Sequence, residues 1–554
     1  MSAKTKAPRK PNSSSPETPS ATALLALAAA SSTLSQLSLS PVYGSIPAAI
    51  WHPKAVTFIA LAAVITRSPI HRFLPSSARG WIPVLAFWIT PIQHLLFQYS
   101  SQLGATWGPV VTEFCTIFPF IYLSMFVASP LLDTLDFTSF GPVANLIPNI
   151  SSYVTFSVVQ RFVTAYLPPY MGTSQFITRS GLQILIAAAS AVISPSKWLI
   201  LAIPACLHTA FYNPHVPTST GSLVLNRSLQ ETAQYTLLER HESLTGYVSV
   251  LESAENQFRV MRCDHSLLGG EWLVTPERRA NGQTRPESIY TVFTMLEAVR
   301  LVKTASNVPD SEKDALVIGL GIGTSPSALI AHDINTTIVE LDPAVYYMAK
   351  KYFNLPAEHN PVIGDAVDYV EGAATTQPGS YDYIIHDVFT GGAEPVSLFT
   401  AEFLTGLRTL LKADGVVAIN YAGDLALDST KLVLNTIFSV FPTCRIFRDQ
   451  PPLPDAKSDF INMVVFCVPA GDGVKLTFRA PLEHDFLGSI VRQRNLAPRQ
   501  ELEVSFEPDE TAVQEKRVLT KLNGWELERF QQEGAVSHWE IMRTVLPPKV
   551  WELW

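Results

Sequence analysis

The run ALVIGLGIGTSPSALI, Ala315–Ile330, decides the fold of this 554-residue chain. An apolar stretch reads as a buried strand, three alternating glycines (Gly319, Gly321, Gly323) interrupt it, and apolar residues then resume at helical spacing. Glycine lets the backbone turn tightly and approach a ligand closely. In an open α/β sheet that ligand sits beyond the carboxyl ends of the strands. A dinucleotide loop would place its third glycine at 324, where the chain has Thr324. No Lys-Ser/Thr pair follows either, which removes a P-loop. The remaining common occupant is a nucleoside without a pyrophosphate, such as an adenosyl-sulfonium.

Downstream, strands alternate with helices. TTIVEL is the next strand, and DPAVYYMAKKYF reads as a helix with Asp342 as N-cap and Pro343 at its first position. PVIGDAVDYVEGA, the strand YDYIIHDVF, the helix LFTAEFLTGLRTLLKADG, the strand VVAINYA and the helix STKLVLNTIFSVF follow, and CRIF and FINMVVFCV close the unit. This order predicts a Rossmann-like α/β domain over 301–470, its parallel sheet covered on both faces. Two acids strengthen the nucleoside assignment. Glu340 ends the second strand, 21 residues after Gly319, where a carboxylate can accept from both ribose hydroxyls. Asp365, with Ala366 beside it, follows the third strand, placed to accept from an adenine amino group. Asp387 ends the fourth strand, next to the expected reactive carbon. There it can take a proton from an attacking amine or favour the sulfonium electrostatically. His386 points to the opposite side of that strand and is expected to be packed.

Upstream, residues 214–300 read as a small antiparallel β subdomain, followed by a helix in PESIYTVFTMLEAVRLVK. Residues 471–554 form a C-terminal extension, expected to dock on the body as a helix and tail, to which no chemistry is assigned.

The front of the chain suits a different solvent. From Ala21 to Tyr212 there are only ten acidic or basic residues, against about one in five from Asn213 onward. Residues 1–20, with Lys4, Lys6, Arg9 and Lys10, form a basic tail expected to be disordered. Residues 21–213 then carry candidate membrane spans at roughly 22–42, 46–66, 80–100, 107–128, 146–167, 180–195 and 197–212. The basic tail and the 67–79 loop (Arg67, Arg72, Arg79) favour the cytosol. A cytosolic soluble domain needs an even number of crossings, so six spans are expected, or seven with one re-entrant. His94, Glu113 and Arg161 are costly at that depth and are expected to pair, to snorkel or to serve a function.

The net charge of −8 gives no basic footprint for nucleic acid. The five cysteines (Cys115, Cys206, Cys263, Cys444, Cys467) show no CxxC. They read as buried structural thiols in a reducing compartment, with no metal site. Expected partners are membrane lipid, a small-molecule donor and an amine-type acceptor, with a homodimer admitted.

From about 235 to 468 the chain resembles the spermidine/spermine synthase family, the polyamine aminopropyltransferases. SLLGGEWL followed by PESIYTVF resembles the family's β-hairpin entry and its Glu-x-x-Tyr segment, which places Tyr290 at the substrate mouth. VIGLGIGTS, VELD, GDAVDYV and YDYIIHDVF match the successive nucleoside motifs in order. The resemblance implies Glu340 on ribose, Asp365 on adenine, Asp387 as the amine-side acid, and decarboxylated S-adenosylmethionine as donor. The departures are specific: Ile322 and Thr390 stand where the family has acids, and Thr291 where it has glutamine. A cationic polyamine needs carboxylates as it leaves water, and of three acids around the amine only Asp387 remains. The glycine loop also resembles the class I methyltransferase-type relatives, which use S-adenosylmethionine itself. Aminopropyl transfer, methyl transfer to a non-polyamine acceptor, and a non-catalytic nucleoside sensor on a membrane carrier all stay open.

Overall fold

The structure is a computed structural model that describes residues 17–66, 78–132, 147–305, 308–388, 394–452, 459–469, 475–509 and 518–554. The first sixteen residues of the basic tail, the loop from 67 to 77 and Thr390 lie outside them. The chain forms two compact units, Met1–Arg227 with Glu552–Trp554, and Ser228–Trp551.

The first unit is helical. Pro19–Tyr43, Ser45–Ala63 and Ala78–Phe97 are long and apolar enough to cross a membrane. Ser100–Cys115 and Ile117–Ser129 make a fourth such length, if counted as one span bent by 42°. Arg179–Ile193 and Lys197–Phe211 are apolar but shorter. Among the described residues that is three or four crossings by length and composition, against the six or seven expected. The fourth length breaks at Thr116, and its first helix is itself irregular. Gly104 has φ +69° inside Ser100–Cys115, and Pro109 removes a backbone donor from the same helix.

Polar groups of this unit face inward. Glu113 accepts from Ser35 Oγ at 2.9 Å and from His52 Nδ1 at 2.7 Å. His52 Nε2 lies 2.9 Å from Ser32 Oγ, which takes a bond from Gln160. Glu113 therefore pairs, as expected, but with His52 rather than with His94. The His94 ring instead lies tilted against that of His208 and edge-on to that of His215, and Arg161 is exposed.

In the second unit the strands are β1 (Tyr235–Glu242), β2 (Tyr247–Ser253), β3 (Phe258–Cys263), β4 (Ser266–Trp272), β5 (Glu287–Ser288), β6 (Asp314–Ile318), β7 (Asn335–Glu340), β8 (Asn360–Ile363), β9 (Tyr381–His386), β10 (Leu411–Gly423), β11 (Thr443–Arg448), β12 (Ile461–Val468) and β13 (Glu503–Val504). The first five form an antiparallel sheet in sequence order. The helix expected over 286–303 is shortened to Thr291–Leu296 and a 3₁₀ turn, because β5 claims the residues before it.

The larger sheet runs β13-β11-β12-β10-β9-β6-β7-β8. Strands β8, β7, β6, β9 and β10 are parallel, as the alternating pattern predicts, whereas β12 pairs antiparallel with β10, and β11 antiparallel with β12. Successive side chains of a strand face opposite layers, and both layers here are buried. Leu316, Ile318, Ile384, Val417 and Ile419 pack in one core, and Ala315, Val317, Ile385, Val416 and Ala418 in the other. This explains why these strands read as continuous apolar runs. Asp342 caps the helix Pro343–Tyr352 through Ala344 N. Its carboxylate also accepts from Ser243 Oγ at 2.6 Å and Thr245 N at 3.1 Å, tying the β1–β2 turn to the body.

The cysteine expectation is corrected. Cys444 and Cys467 face each other across β11 and β12 and form a disulfide. Cys115 and Cys206 are exposed, and of the three free thiols only Cys263 is buried. A disulfide removes the ground that composition offered for a reducing compartment.

Candidate functional site

The strand order places β6 between β9 and β7, so the chain leaves β6 in one direction and later returns on its other side. Crevices of doubly wound sheets open at such a switch, beyond the carboxyl ends of the strands. A cavity of about 430 Å³ lies here, within the usual range for small-molecule sites. Gly319, Gly321, Glu340, Asp365, Ala366, Asp387 and Tyr290 all line it.

The glycines act locally. A Cβ on Gly319 would lie 2.0 Å from the Asp387 carbonyl oxygen, and one on Gly321 would lie 2.5 Å from that of Leu268. Both have positive φ, so only glycine keeps the loop pressed against β9 and β4. Gly323 does not line the cavity. It is the left-handed N-cap of the helix Thr324–Ala331, with its open side against Leu355. Ile322 also turns away, 5% exposed in a core with Val248, Val250 and Met261. Gly269, opposite it, leaves room for its side chain: a Cβ there would come within 2.9 Å of Ile322 Cγ1.

Glu340 is buried, and its carboxylate accepts from Leu320 N at 2.9 Å and Asp342 N at 2.8 Å. Burial nevertheless pushes this carboxyl up to about 7, because desolvation disfavours the charge more than the two donors favour it. Asp365 caps the helix Ala366–Thr376 through Val367 N at 2.8 Å and stays exposed. Asp387 accepts from Asn420 Nδ2 at 2.7 Å, and burial pushes it up to about 6 against that bond. The Tyr290 hydroxyl is buried without a partner among the described residues, and burial pushes it up to about 12. His386 is packed, as expected: its ring lies against Phe399 and Phe403 and donates to the Leu398 carbonyl at 3.0 Å.

Two contributors escaped the sequence. Asn420 sits in β10 beside Asp387, and its only trace is a polar residue interrupting the apolar run VVAINYA. The helix Gly524–Val545 of the C-terminal extension supplies His538, Ile541, Met542 and Val545 as one wall. Gln531 on that helix donates to the Glu394 carbonyl at 2.8 Å, just before the lining residues Pro395, Ser397 and Leu398. His538 is buried and held down to about 4 by desolvation, so it is neutral at physiological pH.

Residues 296–466 match the spermine/spermidine synthase domain family. A polyamine aminopropyltransferase of Vibrio vulnificus is 35% identical over 140 residues, which is 24% of this chain and 46% of that one. A crystal structure of a probable spermidine synthase from Corynebacterium glutamicum, 16% identical, covers 49% of this chain and 98% of that one with a TM-score of 0.35. The likeness to a protein of Emericella nidulans extends further: its N-terminal histidine N-methyltransferase is 46% identical over 546 residues, 96% of both chains. The chain is thus a transferase, and its relatives imply S-adenosylmethionine as donor. At that identity, over nearly the whole of both sequences, it belongs to the family of the N-terminal histidine N-methyltransferase.

Proposed function

We propose that this protein transfers a methyl group from S-adenosylmethionine to a nitrogen of an N-terminal histidine. The observation that carries this is the 46% identity spanning 96% of both chains. The cavity agrees with it. Ile322 is buried in the core rather than offered to a polyamine, which favours methyl over aminopropyl transfer. An imidazole, with an ordinary value near 6.5, presents an unprotonated nitrogen at neutral pH, whereas an α-amine near 8 is mostly protonated. The ring nitrogen is therefore the nucleophile.

Glu340 faces the ribose, Asp365 the adenine, and the Gly319–Gly321 loop lets the backbone meet the nucleoside. The lone pair of the ring nitrogen forms the new N–C bond as the C–S bond breaks, its electrons remaining on sulfur. The proton then lost from the methylated ring goes to the Asp387 carboxylate. In-line positioning supplies most of the rate, since the sulfonium carbon is already activated.

The test is incubation of the full-length protein with S-adenosylmethionine and a peptide beginning with histidine, with the product located by fragmentation mass spectrometry. Methylation of that first residue is expected. Aminopropyl transfer to a diamine from the decarboxylated donor, with no methylated peptide, would reverse the assignment. Donor binding carries its own prediction. A cationic donor favours the ionised form of Glu340, whose carboxyl lies near 7 in the free protein. Affinity should therefore rise with pH, being roughly tenfold weaker at pH 6 than at pH 8. Calorimetry at the two pH values checks it, and a pH-independent constant would remove Glu340 from the donor site.

The helical unit is proposed as a membrane anchor. Several of its large apolar side chains point outward, among them Phe58, Ile65, Phe114 and Val192, exposed by 70, 72, 68 and 81%. The serines, histidine and glutamate of the Ser32–His52–Glu113–Ser35 chain are buried. That polarity suits hydrocarbon as the surrounding solvent.

A further inference from the structure

Asn420 is 6% exposed and lines the cavity. Its Nδ2 donates to Asp387 Oδ1 at 2.7 Å. A carboxylate only accepts, so this bond fixes the amide and turns Oδ1 the other way. That Oδ1 is buried and has no partner among the described residues, and the same holds for the Tyr290 hydroxyl on the same cavity. Folded proteins rarely leave buried polar atoms unmet, and a ligand that satisfies them recovers the cost.

The charges of the cavity narrow the choice of ligand. Among the described residues its lining includes no Lys or Arg, and its carboxylates are Glu340, Asp365 and Asp387. The first two already serve backbone N–H groups of Leu320, Asp342 and Val367. One carboxylate remains beside Asn420, which suits an acceptor bearing a single positive charge. An α-ammonium has that charge and three N–H donors. An internal residue would offer one uncharged amide N–H in its place.

We propose that Asn420 Oδ1, together with the Tyr290 hydroxyl, binds the α-ammonium group of the acceptor's first residue. Selection of a chain end then resides in β10 and in the turn before Thr291. The assignment rests on the N-terminal histidine reading and deepens it.

The experiment compares two peptides of one sequence with the full-length protein. One begins with histidine; the other begins with its desamino analogue, which keeps the imidazole and lacks the amine. Wild type should lose roughly 10- to 100-fold in kcat/KM on the desamino peptide, mostly through KM, as for a hydrogen bond to a charged group. Asn420→Ala should lose a similar factor on the amino peptide and no longer distinguish the two, while binding S-adenosylmethionine as wild type does. Tyr290→Phe, which removes only the hydroxyl, should discriminate less than wild type and serves if Asn420→Ala does not fold. Equal rates of wild type on both peptides would overturn the assignment and leave the histidine reading standing. So would a folded Asn420→Ala that discriminates as wild type does. Methylation of neither peptide would overturn both.

Discussion

Asp387→Asn in the full-length protein should lower methyl transfer by roughly 100-fold or more, the usual contribution of a positioned proton acceptor. Donor affinity should stay close to that of wild type. Asn420 Nδ2 contacts this side chain, and the substitution keeps its shape while removing its charge. The pH behaviour separates a lost base from a distorted site. Burial raises the Asp387 carboxyl to about 6, so wild-type turnover should fall as pH drops through 6, with the carboxylate becoming protonated. The substrate imidazole, at about 6.5, also protonates in this range, so the variant should keep a limb that is one proton shallower than that of wild type. Stability moves the opposite way. A carboxyl raised above its unfolded value of about 3.9 favours the fold fully below that value, and the contribution is lost as pH rises through 6. At neutral pH the ionised Asp387 is therefore a cost, and Asp387→Asn should melt higher there than wild type. A variant with unchanged turnover, or one that melts lower at neutral pH with donor affinity lost, would remove Asp387 from its assigned role. Single-turnover rates, donor titration and thermal unfolding across pH make the comparison.

How much of this site could be read from the sequence depends on how local each residue's setting is. Gly319, Gly321, Glu340, Asp365 and Asp387 follow strands in chain order, and a parallel sheet brings successive strand ends to one edge. Position along the chain therefore implies position in space. Asn420 follows the same logic, since β10 lies next to β9. It was missed because one asparagine in an apolar strand has no signature until its partner Asp387 is located. His538 and Met542 were beyond reach: a helix more than a hundred residues downstream of β10 closes the cavity by tertiary docking, through contacts such as Gln531 to Glu394. The disulfide failed for a related reason. Cys444 and Cys467 become neighbours only once the register of β11 on β12 is known. In the helical unit, hydropathy located the apolar segments. It did not show that the His52–Glu113 pair sits inside, or that Gly104 breaks a helix.

Ile322→Asp restores the acid that polyamine synthases carry in this loop, and it should destabilise the protein without creating a polyamine synthase. The side chain is 5% exposed, packed with Val248, Val250 and Met261 and against the bare face of Gly269. A carboxylate there would be set among the apolar side chains of that core. Leaving a buried charge uncompensated costs roughly 3–5 kcal/mol. The thermal midpoint should fall accordingly, less at low pH, where the new carboxyl can protonate. Ile322→Val, which removes one methylene from the same place, should cost about 1 kcal/mol and keep donor binding. If Ile322→Asp folds as well as wild type and accepts a diamine, the loop must present position 322 to the cavity. If instead the valine variant is mild, the aspartate variant severe and neither transfers an aminopropyl group, then residue 322 belongs to the packing between the glycine loop and β4. The chemistry that sets this chain apart from the polyamine synthases then lies with Asp387, Asn420 and the C-terminal helix.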